Sequence, residues 1–291
     1  MCPSMDRPMV TYFSQFQAMV GSLLSPLEVS ATQLSDDFVA TGEVVKTVDK
    51  AMTVLDQFSA DHQEVGLTEL SQMAGLDKAA TRRLLLALAK HGFVEQVAET
   101  RKYRLGHGFL RLARLREDTV PIERAAQEVA DWLALEVNDT AHVAIPGATG
   151  MTTVGYRLPN KGNCINIIRS QVLLYHATAS GIAFLAFASD ATQKRILGLK
   201  RTKESDFTLT SKSELIAKLE QTRADGYSQS RNALEVGVAS VGMAFFTGGA
   251  DPAGTIAIAV PDANMDDARL SQLLPPLREA VTRIELALTG G

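Results

Sequence analysis

The chain has 291 residues, 46% of them hydrophobic and 21% charged, with a formal net charge of −4. That length exceeds one ordinary domain, and the composition belongs to globular chains rather than disordered, fibrous or membrane-spanning ones. No run of about 18 uninterrupted apolar residues occurs and no basic leader precedes an apolar segment, so the chain reads as cytoplasmic, without membrane contact. The two cysteines, Cys2 and Cys164, lie too far apart to suggest a disulfide framework or a metal knuckle, and neither a metal nor a cofactor is expected.

The negative total conceals an uneven distribution. Residues 44–116 hold twelve Lys/Arg against eight acids, a local net of +4, whereas residues 1–43 and residues 117–291 each carry −4. A polyanion-binding surface is to be sought in the basic block, although a solvated face can carry the same excess and a motif must accompany it.

Residues 1–43, with Pro3, Pro8 and Pro26 and a weakly amphipathic piece at 10–24, read as a flexible N-terminal extension. Val48, Ala51, Met52, Val54, Leu55 and Phe58 then recur at three- and four-residue intervals, which predicts a helix opened by Thr47 as N-cap. Residues 67–74 form a short helix with Leu67, Leu70 and Met73 or Ala74 inward, ended by Gly75. Asp77 is placed to cap a third helix over 78–91, in which Leu84, Leu85 and Leu88 share a stripe and which Gly92 stops. Helix, glycine turn and longer helix make a helix-turn-helix. The β-prone runs 93–97 and 102–105 flank a polar turn and predict a hairpin, the wing. Residues 44–105 are thus a winged helix-turn-helix domain.

The third helix is expected to enter the major groove of double-stranded DNA. Its early turns are predicted to expose Lys78, Thr81 and Arg82, with Arg82 reading a base edge and Lys78 and Thr81 suited to phosphate oxygens. Arg83, beside Leu84, is expected partly beneath the helix, serving an ion pair or a phosphate. Arg101 and Lys102 sit where the wing meets the DNA backbone or minor groove. The alternative is a winged helix that binds protein rather than DNA.

Residues 106–120 read as a charged linker helix broken near Pro121, and residues 121–291 as a domain for effector binding and oligomerisation. A helix over 122–137 is followed by strands at 140–145, 152–157 and 164–169. Helices at 177–188, 191–197 and 211–225 come next, then apolar strands at 236–246 and 254–260 and a helix over 266–288. This order predicts an α+β domain with a mainly antiparallel sheet. Cys164, His142, His176 and Ser180 share it, but no nucleophile elbow, zinc spacing, Walker loop or dinucleotide fingerprint is present, so no enzyme is expected. Cys164 reads as strand packing, and His176 as a structural hydrogen bond or a neighbour of the ligand.

The run Leu67-Thr68-Glu69-Leu70, then Gly75-Leu76, Thr81-Arg82-Arg83-Leu84-Leu85, Gly92-Phe93-Val94 and Tyr103-Arg104-Leu105-Gly106 resembles the DNA-binding domain of IclR-type transcriptional regulators. Further along, His176-Ala177-Thr178-Ala179-Ser180-Gly181, Gly226-Tyr227-Ser228 and residues 235–241 resemble that family's effector-domain signatures. The likeness covers residues 44–289. It implies a GAF-like α/β effector domain, homodimers or homotetramers, palindromic operators, and repression (or activation) of catabolic genes. The effector it implies is a small organic metabolite, such as a carboxylic acid, semialdehyde, lactone or aromatic acid. Carried over by position, the ligand pocket would involve Ile165, Ala179, Ser180, Ser230, Ser240, Val241, Ala257 and Ala259. Ala257 and Ala259 stand where hydroxyls would be expected and Ser230 replaces an acidic contact, which implies a less polar pocket. Asp77, Ala79 and Ala80 replace the more usual Pro, Ser and Thr at the start of the recognition helix.

Overall fold

A computed structural model describes residues 45–59, 61–119, 122–160, 164–165 and 172–290; the expected N-terminal extension lies outside them. Helices α1 (Lys46–Leu55), α2 (Leu67–Met73) and α3 (Lys78–Lys90) precede a hairpin of β1 (Val94–Gln96) and β2 (Tyr103–Leu105). Val54, Val65, Leu70, Leu85, Val94 and Tyr103 form their shared core. Gly75 and Gly92 end α2 and α3 with φ of 64° and 74°, the left-handed region that glycine enters without steric cost. Asp77 caps α3, its Oδ1 accepting from the Ala80 amide at 2.7 Å. Val65 exchanges two backbone hydrogen bonds with Tyr103, at 2.9 and 2.8 Å, adding a third strand position that the sequence did not suggest.

Helix α1 departs from expectation. Val45, not Thr47, is the residue before its first turn, and no side chain caps it. Val48 and Met52, expected inside, are 60% and 51% exposed. Helix α1 meets the core only through its last turn and exit, where Val54 is buried and Leu55 and Phe58 pack.

The wing passes directly into α4 (Gly108–Thr119). The amides of Gly106 and Gly108 donate to the carbonyls of Phe93 and Gly92, both at 2.8 Å, and Phe109 meets Phe93 edge-on at 5.0 Å. At the far end the Glu117 carboxylate accepts from the amides of Glu123 and Arg124, both at 3.1 Å. Those amides have no partner inside α5 (Ile122–Val137), so Glu117 satisfies its N-terminus from the preceding helix.

The C-terminal part is built on a six-stranded sheet comprising β3 (Thr140–Pro146), β4 (Gly150–Arg157), β5 (Leu173–Leu174), β6 (Ser228–Arg231), β7 (Val238–Phe245) and β8 (Gly254–Pro261). Its spatial order is β5-β4-β3-β8-β7-β6, and every neighbouring pair is antiparallel. Helices α5 and α9 (Asp267–Thr289) cover one face, in a core that includes Val129, Leu133, Val241, Ile258 and Leu277. On the opposite face lie α6 (Ala179–Phe187), α7 (Asp190–Leu197) and α8 (Lys212–Asp225), with Phe184, Leu185, Ile196, Leu215 and Leu219 between them. Cover on both faces is why β8 is buried without interruption from Gly254 to Val260. Of the strand expected at 164–169, Cys164 and Ile165 have no regular structure and the rest lies outside the described residues. Edge strands β5 and β6 were not anticipated, because one has two residues and the other, Ser-Gln-Ser-Arg, carries no apolar signal. Among the described residues, no helix is long and apolar enough to cross a membrane.

Candidate functional site

Two surfaces carry the sequence-predicted residues. On the winged domain, Lys78, Arg82 and Arg83 stand exposed on α3, and Arg101 and Lys102 stand exposed at the wing tip. None of the five forms an ion pair among the described residues, whereas Arg104 on β2 is held by Glu95 at 2.6 Å and Glu64 at 3.6 Å. Arg104 therefore braces the hairpin while the tip cations stay available. Gln96 Nε2 closes the turn by donating to the Arg101 carbonyl at 2.8 Å, with Arg101 itself at a φ of 60°. Two expectations are corrected. Thr81 is fully buried, its hydroxyl donating to the Asp77 carbonyl at 3.0 Å, so it cannot reach a phosphate. Arg83 lies exposed rather than beneath the helix, because position 83 falls outside the stripe shared by Thr81, Leu84, Leu85 and Leu88.

The second surface is a cavity between the first turn of α6 and the sheet. Thr178 caps α6, its Oγ1 accepting from the Gly181 amide at 3.0 Å. A side chain at residue 181 would collide with the backbone of Leu174 and Tyr175, which explains the glycine of the Ser180-Gly181 motif. Two serines of β6 fasten the helix start to the sheet edge: Ser228 Oγ donates to the Ala179 carbonyl at 2.6 Å and Ser230 Oγ to the Ala177 carbonyl at 2.9 Å. The Thr140 hydroxyl fixes Ile165 through its carbonyl at 2.7 Å. These elements enclose about 70 Å³, several times the roughly 10–15 Å³ that a single water needs. The lining is mainly apolar with a few convergent polar groups, as small-molecule sites are.

Six of the predicted pocket residues, Ile165, Ala179, Ser180, Ser230, Ser240 and Ala259, line this cavity; Val241 and Ala257 do not. Val241 follows Ser240 on β7, so its side chain points to the other face and packs with α5 and α9. Ala257 pairs with Gly242 under the Ala179 backbone and is fully buried. Sequence reasoning missed His142, Thr178 and Glu235 as lining groups, which make the pocket more polar than its alanines suggest. His142 Nε2 lies 3.0 Å from Ser180 Oγ, and burial holds the imidazole neutral, pushing its pKa down from 6.5 to about 4. His176 is not at the cavity; its Nε2 bonds the Thr202 carbonyl at 2.9 Å.

Residues 47–98 match the IclR helix-turn-helix domain, and residues 117–286 match the bacterial transcriptional regulator IclR C-terminal domain. The chain belongs to the IclR family. The HTH-type transcriptional regulator XynR of Escherichia coli is 27% identical over 250 residues, spanning 84% of this chain and 98% of that protein. The transcriptional repressor IclR of the same organism is 27% identical over 264 residues, spanning 86% and 92%. A crystal structure of an IclR transcriptional regulator from Silicibacter sp. TM1040 superposes with a TM-score of 0.78 at 31% identity, covering 84% of this chain and 97% of that one. An IclR homologue from Microbacterium hydrocarbonoxydans, crystallised with 4-hydroxybenzoate, shares the fold at a TM-score of 0.68 and 18% identity, covering 84% and 100%. As an IclR-family member the chain is a DNA-binding transcriptional regulator, not an enzyme. Its winged domain and curled antiparallel sheet domain are those of the family.

Proposed function

We propose that this IclR-family regulator acts in the cytoplasm, chiefly as a repressor of catabolic genes. It binds a palindromic operator as a homodimer or homotetramer, under the control of a small organic metabolite held in the cavity beside α6. The carrying observation is that cavity, in a chain that also presents exposed cations on α3. On this reading Arg82 grips a base edge, and Lys78 and Arg83 take phosphates. Arg101 and Lys102 follow the groove from the wing. Ile165, Ala179, Ser180, Ser230, Ser240 and Ala259 contact the effector: a carboxylic acid, semialdehyde, lactone or aromatic acid. The 4-hydroxybenzoate of the Microbacterium homologue belongs to that range.

Regulation follows by linkage: an effector that fits one arrangement better shifts the chain toward it, and operator affinity changes in return. The route is short. Helix α4 starts from a point fixed to the wing by Gly106, Gly108 and Phe109, and carries in its last turn Glu117, which caps α5. Helix α5 packs on the sheet that forms the cavity floor. The test is Ala259→Phe, which fills the cavity. It is expected to bind operator DNA as the wild type does while losing the response to every compound in a panel of small acids, semialdehydes and lactones. An unaltered response in this variant would remove the cavity from the mechanism.

A further inference from the structure

Three consecutive leucines follow Arg83 on α3, and the helix turns only two of them inward. Leu85 is fully buried and Leu84 packs beside it on the core, whereas Leu86 is 52% exposed. With 3.6 residues to the turn, Leu86 lies about 40° round the axis from Arg82 and about 60° from Arg83 on the other side. It therefore stands between the two arginines, on the face opposite the stripe of Thr81, Leu84, Leu85 and Leu88 that anchors the helix. Ala79, two turns earlier and about 20° away, is exposed in the same line. The outward face of α3 is thus an apolar line, Ala79 and Leu86, framed by the exposed cations Lys78, Arg82, Arg83 and Lys90.

A single exposed leucine is ordinary on a protein surface, and helix propensity would be served as well by lysine or glutamine at this position. The frame of cations is what selects a partner. The DNA major groove matches it, with phosphates along both walls and, on its floor, the C5-methyl groups of thymine.

We infer that Leu86 reads thymine: its side chain packs on a thymine C5-methyl in each half-site of the operator. This rests on the reading of α3 as the helix that enters the major groove. Leu86 stands about 6 Å along the axis from Arg82, so the thymine lies within about two base pairs of the base that Arg82 grips. Cytosine at that position lacks the methyl and sets Leu86 against polar base edges, so a leucine there specifies a base without a hydrogen bond. Burying one methyl is worth about fourfold in binding, and the two half-sites of a palindrome together roughly fifteenfold.

The test is uracil interference on the protein's own upstream DNA. Deoxyuridine replaces thymine at random, which removes only the methyl, and binding is then measured on fragments substituted at the positions found. The wild type is expected to be weakened at a thymine in each half-site, by about fourfold for each. Leu86→Ala is expected to bind the thymine fragment about as weakly as the wild type binds the doubly substituted one, and to be indifferent to the substitution. Leu86→Gln, which keeps the helix propensity, behaves alike, with far-UV circular dichroism showing both folded; should L86A not fold, L86Q decides. Wild-type binding that is specific but indifferent to the methyls overturns the inference and leaves α3 in the groove. A methyl loss as large in the folded variants as in the wild type also overturns it. Wild-type binding no tighter than to unrelated DNA overturns the reading of α3 itself, and the inference with it.

Discussion

His142 is expected to make the C-terminal domain sensitive to acid, and the size of the effect follows from its burial. Desolvation lowers its pKa from 6.5 to about 4 in the folded chain. As pH falls below about 6.5 the unfolded chain takes up a proton that the folded chain refuses until near pH 4, so between these values stability falls with pH. At pH 7 the contribution is close to zero; at pH 5 it amounts to a loss of about 2 kcal/mol, approaching about 3 kcal/mol across the window. The assay is urea unfolding followed by the fluorescence of Trp132, the single tryptophan of the sequence, which lies in α5 with the Arg283 guanidinium 4.0 Å above its ring. His142→Asn removes the titrating group. The stability difference between wild type and H142N is expected to shift by about 2 kcal/mol in favour of the variant between pH 7 and pH 5. A difference that stays constant with pH would show that the imidazole titrates alike in both states and would refute the reasoning.

Three further predictions concern the recognition helix. Asp77→Ala removes the N-cap bond to Ala80 and is expected to lower stability by about 1 kcal/mol, seen as a lower urea midpoint by far-UV circular dichroism; an unmoved midpoint would mean the cap contributes nothing. Thr81→Val keeps the shape of a buried side chain while losing its bond to the Asp77 carbonyl, so operator affinity of the folded protein is expected to be unchanged. A loss in T81V as large as that of an arginine substitution would place the hydroxyl on the DNA. Arg82→Ala is expected to weaken operator binding by about 1–3 kcal/mol and leave effector binding intact by calorimetry; loss of both would give Arg82 a structural role.

Long, strongly patterned elements were readable from the sequence, and so were glycine and aspartate stops. The leucine stripe of α3, the apolar runs of β7 and β8, Asp77 as a cap and Gly75 and Gly92 as terminators were all recognisable. Thr81 misled because its polarity outweighed its position, four residues before Leu85 on the buried face. Val241 misled because a motif carried over as a block ignores the two-residue alternation that separates it from Ser240. Edge strand β6 gave no hydrophobic signal, β5 has only two residues, and the pairing of Val65 with Tyr103 is made by backbone bonds that no side chain announces. His142 stood in the sequence as a lone histidine in an apolar strand. Its place opposite Ser180, 38 residues away, is created by the packing of α6 over the sheet.

The account stands most directly on a titration of the purified protein with its own upstream DNA at two salt concentrations, with and without small acids, semialdehydes and lactones. It predicts saturable, sequence-specific binding that weakens steeply with salt, because cations such as Lys78, Arg83 and Lys102 displace counterions from phosphates, and that at least one compound shifts. Binding no tighter than to unrelated DNA, unaffected by every compound, would contradict it.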